Sequence, residues 1–263
     1  IVLIHGDLTN NGETVSHEEF RQMLYQLEGS GKRIFLTYST HDYKKTLNKT
    51  KGYDGDKIIE IPSFTLDDIK NYYDDFGKKQ AISVHQNTGS YVVQLSDSVR
   101  LLALNDDFGY EKSGYTEETM DWIRNEVEKA KEKNNYIFVM AHHPITAASP
   151  LYGIFGKKDL IEYSEKRRKE FADMGVSLYF SGHSHMQKID YELTDKGNFI
   201  YNISTSALVG YPPVYRKVYI DLKEQKASIE SYLIDKAEGI DTQEGLVEHL
   251  RQKFLGMIGD FIY

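Results

Sequence analysis

Short apolar runs and longer amphipathic stretches alternate along the first part of the chain. Four runs of four or five largely apolar residues are typical of buried strands in a parallel sheet. They lie at residues 1–4, 34–38, 136–140 and 176–180. A stretch with helical periodicity separates the first run from the second, and this β-α-β alternation favours a layered α/β fold.

The amphipathic stretches predict four helices, and two of them begin with recognisable cap signals. Ser16 with Glu19, and Thr65 with Asp68, form the capping-box pattern that marks a helix start. Thr116 is predicted to cap the clearest helix. We predict helices at residues 16–28, 65–76, 116–133 and 160–174, the third with Met120, Ile123, Val127 and Ala130 on its apolar face.

The second part of the chain is richer in alternating patterns, which predict antiparallel strands. A hairpin is predicted from residues 90–95 and 99–105, and the polar segment 42–61 is interpreted as a surface loop near the site. Successive antiparallel strands are predicted at 188–193, 199–203, 214–222 and 227–234, and a helix at 242–258. Because the pattern changes after Asp235, we expect one domain over 1–235 and a C-terminal helical appendage over 236–263.

Composition narrows the classes of function. The net charge of −8 argues against strong nucleic-acid binding, which needs a positive field. The chain has no cysteine, so any metal must be held by nitrogen and oxygen ligands. No apolar stretch is long enough to cross a membrane. Because Ile1 lies inside a predicted strand, we expect that an N-terminal segment is missing; compartment and oligomeric state stay open.

A histidine or an aspartate follows each of the four apolar runs. Strand ends are where an open α/β sheet builds its sites, and these residue types are the ligands of hydrolytic metal centres. The sequence therefore predicts a metal-dependent hydrolase. The motifs are Gly6-Asp7, Thr40-His41-Asp42, His142-His143-Pro144 and Gly182-His183-Ser184-His185.

In this order, the four motifs resemble the calcineurin-like metallophosphoesterase superfamily, in particular its bacterial phosphodiesterase branch. The superfamily pattern is DxH, GD, GNH(D/E), H and GHxH. The resemblance implies an α/β fold of two mixed β-sheets flanked by helices in four layers. It also implies two divalent metal ions (Mn, Fe, Zn or Ni) and a small phosphorylated substrate. This would be a phosphodiester or phosphomonoester, with a cyclic nucleotide as one candidate, attacked in line by a hydroxide that bridges the metals.

The resemblance also implies a role for each motif residue. One carboxylate bridges both metals, three further side chains coordinate the second metal, and one imidazole coordinates the first. Two further residues serve the departing oxygen, one as acid and one to orient that acid. These would be Asp7 as the bridge, Thr40, His142 and His183 on the second metal, His185 on the first, His41 as the acid and Asp42 as its orienting residue, with Asn10 and His143 nearby as non-ligands.

Two departures from the superfamily pattern leave an alternative open. No Asp-x-His precedes Gly6-Asp7, so only Asp7 and His185 remain for the first metal. Thr40 stands where the pattern has asparagine, which predicts weaker binding of the second metal. The alternative is a binding protein that keeps the fold with an incomplete metal site. A metallopeptidase is disfavoured because the chain has no His-Glu-x-x-His motif.

Several polar residues outside the motifs have ambiguous roles. Asp106 and Asp107 end a predicted strand and are interpreted as part of a polar loop, although they could touch the site. Arg216 could pair with a phosphate or occupy an ordinary surface position on a strand. His17 is interpreted as a surface or packing residue.

Overall fold

The computed structural model describes residues 1–107, 112–147, 159–238 and 244–262. Strands in chain order are β1 (Val2–His5), β2 (Ile34–Thr37), β3 (Lys49–Asp54), β4 (Lys57–Pro62), β5 (Ala81–Val84), β6 (Tyr91–Ser96), β7 (Val99–Ala103), β8 (Tyr136–Met140), β9 (Leu178–Ser181), β10 (Lys188–Leu193), β11 (Phe199–Ser204), β12 (Val214–Asp221) and β13 (Lys226–Leu233). Helices are α1 (Thr14–Gly29), α2 (Leu66–Tyr72), α3 (Glu117–Glu132), α4 (Ser164–Asp173) and α5 (Leu246–Ile262).

A seven-stranded mixed sheet lies at the centre of the fold, in the order β10-β11-β9-β8-β7-β6-β5. Its inner strands β7, β8, β9 and β11 run parallel to one another, whereas β5, β6 and β10 join antiparallel. The carboxyl ends of the parallel strands therefore meet at one edge. This edge carries the residues that follow β8 and β9.

Two separate strand pairs cover one face of the central sheet. The parallel pair β1–β2 and the antiparallel pair β12–β13 share an apolar cluster with that face. Helices α3 and α4 pack on the opposite face, and α1 and α2 cover the outer face of β1–β2. The result is the four-layer arrangement of helix, sheet, sheet and helix that the sequence resemblance implies. Representative contacts are made by Leu3, Phe35 and Val218 in the first layer pair and by Ile123, Val127 and Phe171 in the second.

Several predicted elements are confirmed because their local signals agree with their packing. Thr116 caps α3, its side chain accepting a hydrogen bond from the backbone N–H of Thr119, and the predicted apolar face of α3 is buried. Thr65 and Asp68 form the predicted capping box of α2. The hairpin β6–β7 is antiparallel as predicted.

Other boundaries differ from prediction. Helix α1 begins two residues before Ser16, with Glu13 as its cap residue, so the Ser16–Glu19 pattern lies within the first two turns and not at the helix start. The predicted loop 42–61 instead contains the hairpin β3–β4, whose turn places Gly55 at a φ of 58°. Asp54-Gly55 is a pair typical of hairpin turns, but the polar composition of the whole segment led to the prediction of a loop. Strand β1 is only half-buried, because among the described strands it pairs with β2 alone.

The C-terminal segment forms a helix, α5, as the periodicity predicts. Its predicted start at residue 242 lies outside the described residues, and the division at residue 235 stays a prediction. The ring of Phe254 lies 6.0 Å from that of Tyr211, which places α5 beside the loop between β11 and β12. No helix in the described ranges has the length and apolar character that a membrane span requires.

Candidate metal centre

Asp7, His142 and His183 converge at the edge where the parallel strands end. Asp7 follows β1, His142 follows β8, and His183 follows β9, the parallel neighbour of β8. The Nε2 atom of His142 lies 3.2 Å from Oδ2 of Asp7 and 3.1 Å from Nδ1 of His183. The structure thus brings together three of the five residues that the sequence predicts as metal ligands.

The backbone at this point holds an unusual conformation. Asp7, His183 and His185 have φ values of 53°, 58° and 52°, in the left-handed region that non-glycine residues seldom adopt. Such strain persists only where the surrounding structure imposes it, and it concentrates at functional sites. Here it aims the side chains that follow β1 and β9 toward a common point.

The ring of His142 has a fixed orientation. Its Nδ1–H donates a hydrogen bond to the backbone carbonyl of His5, which leaves Nε2 facing Asp7 and His183. Burial lowers the pKa of His142, but the hydrogen bond and charge of Asp7 outweigh it and raise that pKa to about 9. In turn, burial raises the pKa of Asp7, and the contact with His142 lowers it to about 2. Without metal, the carboxylate is neutralised by an imidazolium.

His183 is suited to bind a cation because it is kept neutral. Burial, together with electrostatic interaction with the neighbouring rings of His143 and His142, lowers the pKa of His183 to about 3. Only a neutral imidazole offers a lone pair to a metal ion. The family resemblance implies that His183 binds the second metal, and its Nδ1 atom faces the Nε2 atom of His142.

The donor set fits a divalent cation. Oδ1 of Asp7 is buried and has no hydrogen-bond partner among the described residues. Two donors bound to one tetrahedral ion at roughly 2.0–2.1 Å lie about 3.3 Å apart. The measured separations of 3.1 and 3.2 Å match this spacing closely. A carboxylate and two imidazoles are donors that suit a borderline divalent metal, and His142 lies at this spacing from each of the other two.

His143 lies beside this cluster and is held by the protein at both ring nitrogens. Its Nδ1 lies 2.9 Å from Oδ1 of Asp106, and its Nε2 lies 3.1 Å from Oγ of Ser113. Its ring centroid is 4.2 Å from that of His183. One nitrogen from each of His142, His143 and His183 lies within 4.8 Å of the others. Because both nitrogens are engaged, we interpret His143 as a support for the His183 ring.

Asp106 holds His143 in place beside the cluster, although the sequence interpretation favoured a polar loop residue at this position. It is fully buried, and its second oxygen accepts the backbone N–H of His143 at 2.7 Å. A signal was present in the sequence, because Asp106 follows β7, the parallel neighbour of β8. The polar residues around Asp106 are equally typical of a turn, so the sequence pattern did not distinguish a site residue from a turn residue.

The segment Thr40–Asp42 forms a short 3-10 helix at the rim. His41 is exposed, and its Nδ1 lies 2.7 Å from the carbonyl of Asn10, which orients the ring. Asp42 is buried and accepts the backbone N–H groups of Ser39 and Thr9 at 2.8 and 2.9 Å. Burial raises the pKa of Asp42 to about 7. Asp42 therefore organises the loop, while a carbonyl orients the His41 ring.

Comparison with known proteins identifies the family of this chain. The family model for calcineurin-like phosphoesterases matches residues 1–187. The chain belongs to the calcineurin-like phosphoesterase family. As a calcineurin-like phosphoesterase, it is a hydrolase of phosphate esters that depends on divalent metal ions. Among curated protein sequences, none matches the chain.

Two solved structures share the fold. The calcineurin-like phosphoesterase is similar to a dimetal phosphatase from Danio rerio, with a TM-score of 0.54 and 11% sequence identity, over 81% of this chain and 74% of that chain. It is also similar to a purple acid phosphatase from yellow lupin (Lupinus luteus) seeds, with a TM-score of 0.50 and 12% identity, over 77% of this chain and 36% of the lupin chain. At these identities, the likeness bears on the fold alone.

Two predicted ligands of the phosphoesterase lie outside the central cluster. Thr40 is exposed, and no hydrogen bond of the described residues joins it to the histidines. His185 is likewise exposed and lies outside the group of three imidazoles. The charge of Asp7 acts on the His185 ring. Asp7 and His185 are therefore the candidates, among the described residues, for binding a second cation.

Buried His17 anchors the rim loop of this calcineurin-like phosphoesterase from below. Its Nε2 lies 2.8 Å from the carbonyl oxygen of Asp42, and its Nδ1 lies 2.7 Å from the hydroxyl of Tyr73. The ring stacks on Phe64 at 4.5 Å. Helices α1 and α2 thus hold the backbone that carries His41. Of the two interpretations of His17, as a surface or a packing residue, its burial favours the second. The sequence did not predict its hydrogen bond to the loop that carries His41.

Proposed function

We propose that this phosphoesterase hydrolyses a small phosphodiester or phosphomonoester, with a cyclic nucleotide as one candidate substrate. In this proposal, Asp7, His142 and His183 hold one divalent cation. Asp7 and His185 hold a second, whose shell is completed by water or by protein groups outside the described residues. The convergence of Asp7, His142 and His183 on one point is the observation that carries the proposal.

In the proposed hydrolysis, the cations and the side chains of the protein have separate roles. Bound divalent cations supply a strong nucleophile from water at neutral pH and offset the negative charge that develops on phosphoryl oxygens. The chain contributes the proton of the departing oxygen. Because Nδ1 of His41 faces the carbonyl of Asn10, its Nε2 is left on the exposed side of the ring. From there His41, when protonated, can donate a proton to the departing alkoxide oxygen.

Precise placement of His41 depends on the loop beneath it. Asp42 accepts two backbone N–H groups, and His17 binds the carbonyl of Asp42. These bonds fix the backbone on both sides of the 3-10 helix. A general acid loses much of its efficiency when it shifts by about 1 Å, so this support bears directly on the rate.

The test combines metal content with turnover. The purified chain is loaded with Mn²⁺, its bound metal is measured by plasma mass spectrometry, and hydrolysis of bis-p-nitrophenyl phosphate and p-nitrophenyl phosphate is followed. We expect bound metal and turnover, with both lost in His183→Ala. The control is His249→Ala, on α5, whose Nδ1 lies 3.3 Å from Oε1 of Glu244 and which should leave both readouts unchanged.

The alternative is a protein of the same fold whose metal site is too incomplete for catalysis. It is favoured by the exposure of Thr40 and by the two described ligands, Asp7 and His185, that remain for the second cation. Absence of both bound metal and turnover in the wild-type chain would support this alternative and refute the proposal. Bound metal without turnover would contradict the proposed roles of His41 as the acid or of Asp7 and His185 in binding the second cation.

A further inference from the structure

Arg216 on β12 is a partly buried cation that has no anionic partner among the described residues. Its Nη1 donates to the backbone carbonyl of Lys188 at 3.4 Å, while its Nε is buried and has no hydrogen-bond partner among the described residues. In the described ranges, no carboxylate lies within 4.0 Å of the guanidinium. Burial lowers the pKa of Arg216. By contrast, five other arginines form ion pairs: Arg21, Arg124, Arg167, Arg168 and Arg251.

The guanidinium lies at the same sheet edge as the metal centre. Lys188, which it contacts, is the first residue of β10 and comes three residues after His185. Lys188 pairs with Ser204 of β11, and Ser204 pairs with Ser181 of β9, directly before the Gly182–His185 motif. The sheet register therefore places Lys188, which Arg216 contacts, at the same end of the sheet as the carboxyl end of β9, after which His183 follows.

A second unsatisfied group lies in the same segment. Both the Nε2 and the Oε1 atoms of Gln187 are buried and have no hydrogen-bond partner in the described part of the chain. Gln187 directly precedes Lys188, whose carbonyl holds Arg216. Buried polar groups of native proteins are nearly always paired. Two such groups without a partner among the described residues, joined through the backbone of Lys188, are therefore candidates to bind a ligand.

We propose that Arg216, together with the side-chain amide of Gln187, binds an anionic group of the substrate beside the metal centre. The substrate would then be a phosphate ester that carries a second anionic group, either a carboxylate or another phosphate. A guanidinium matches the geometry of both oxyanions, and its fork of donors favours paired hydrogen bonds. The inference rests on the proposed function, because the cations engage the phosphoryl group that reacts.

Matched substrates test the inference. Glycerol 3-phosphate carries a neutral hydroxymethyl group where 3-phosphoglycerate carries a carboxylate. Propane-1,3-diol bisphosphate carries a second phosphate group as its second anion. We expect wild type to prefer one of the two doubly anionic esters, which identifies the anion. In Arg216→Gln, kcat/KM for that ester should fall about tenfold or more, while kcat/KM for glycerol 3-phosphate stays within about twofold.

The neighbouring residue provides the control. Lys217 also carries a positive charge on β12, and its Nζ lies 4.4 Å from the centroid of the Tyr232 ring. Lys217→Gln removes the same charge at the adjacent position and should leave the substrate preference intact. Arg216→Lys keeps the charge but loses the planar fork, so its preference should lie between those of wild type and Arg216→Gln. This variant also serves if Arg216→Gln does not fold.

Calorimetry separates the inference from the proposed function. Binding of the preferred ester to the metal-free chain should be detectable in wild type and weakened about tenfold in Arg216→Gln. Equal binding and an unchanged preference in Arg216→Gln or Arg216→Lys would overturn the inference while leaving the phosphoesterase function intact. Absence of turnover in metal-loaded wild type would instead contradict the proposed function, and the calorimetric comparison would still decide the role of Arg216.

Discussion

Nε2 of His142 lies 3.2 Å from Oδ2 of Asp7, which joins the end of β8 to the end of β1. Each residue perturbs the other, since Asp7 raises the pKa of His142 to about 9 and His142 lowers that of Asp7 to about 2. The pair shows how the metal-free centre balances its charge. A divalent cation at the same point would neutralise the carboxylate in place of the proton on His142.

Gly6 makes room for this pair. A Cβ atom at Gly6 would lie 2.9 Å from Nδ1 of His142 and 3.1 Å from the Cβ of Ser39, and φ at Gly6 is +77°. We expect Gly6→Ala to displace the His142 ring, to lower metal affinity about tenfold or more, and to destabilise the fold by about 2 kcal/mol or more. Metal titration and urea denaturation measure the two effects.

Gly31 provides the matched control for this substitution. Its φ is +85°, but a Cβ atom at Gly31 would have no neighbour within 4 Å among the described residues, so Gly31→Ala adds the backbone strain without the collision. Its cost should be about 1 kcal/mol with unchanged metal affinity. Equal metal affinities in Gly6→Ala and wild type would show that the His142 ring does not need this space.

Asp106 should matter to both stability and the metal centre. Its carboxylate accepts two hydrogen bonds from His143 while fully buried, and His143 packs against the His183 ring. In Asp106→Asn an amide replaces one acceptor. We expect a loss of about 2–3 kcal/mol in the free energy of unfolding and a drop in metal affinity of about tenfold.

Denaturation and metal titration of Asp106→Asn are to be compared with those of Asp97→Asn. Asp97 is exposed in the turn between β6 and β7, so its substitution should change neither quantity. If Asp106→Asn binds metal as tightly as Asp97→Asn does, the proposed support of His183 by His143 is wrong.

His17 should make the stability of the protein depend on pH. Burial lowers the pKa of His17 below the 6.5 of an unfolded chain, even though the carbonyl of Asp42 opposes this. The unfolded state therefore binds more protons, and His17 costs stability as the pH falls from about 7 through 6.5 toward the lowered folded-state pKa. His17→Gln removes this contribution, so its free energy of unfolding should decline less steeply over that range.

The same variant should also be less stable at neutral pH. It loses hydrogen bonds to Asp42 and Tyr73, which we expect to cost about 1–3 kcal/mol. Tyr73→Phe removes one of these bonds without changing a group that titrates near neutral pH, and it serves as the control for the pH slope. Parallel slopes for wild type and His17→Gln would contradict the assignment of a neutral buried imidazole.

Thr40→Asn tests whether the rim loop limits metal binding. Thr40 is exposed on the 3-10 helix, and a longer amide side chain could reach a cation that the threonine hydroxyl does not. We expect Thr40→Asn to bind the cation held by His142 and His183 more tightly than wild type does, because an amide oxygen is the better neutral ligand. Titration of both proteins with Mn²⁺ decides this, and equal dissociation constants would refute it.

Much of the site could be predicted because its residues follow strands that are themselves obvious. The apolar runs before Asp7, His142 and His183 mark strand ends, and parallel strands place their ends at one edge. Asp106 and His17 were harder to assign. A polar residue in a turn and a histidine on a helix have many roles, and their partners lie far away along the chain.

The sequence by itself determined the α/β class, the core helices and strands, and the residue types of the metal centre, because periodicity, caps and motif order are local properties of the chain. Only the tertiary structure decided which groups share a hydrogen bond or a charge. It paired Asp7 with His142, placed Asp106 behind His143, and left Arg216 without an anion among the described residues. These relationships depend on how layers pack, since burial and distance set the strength of each interaction.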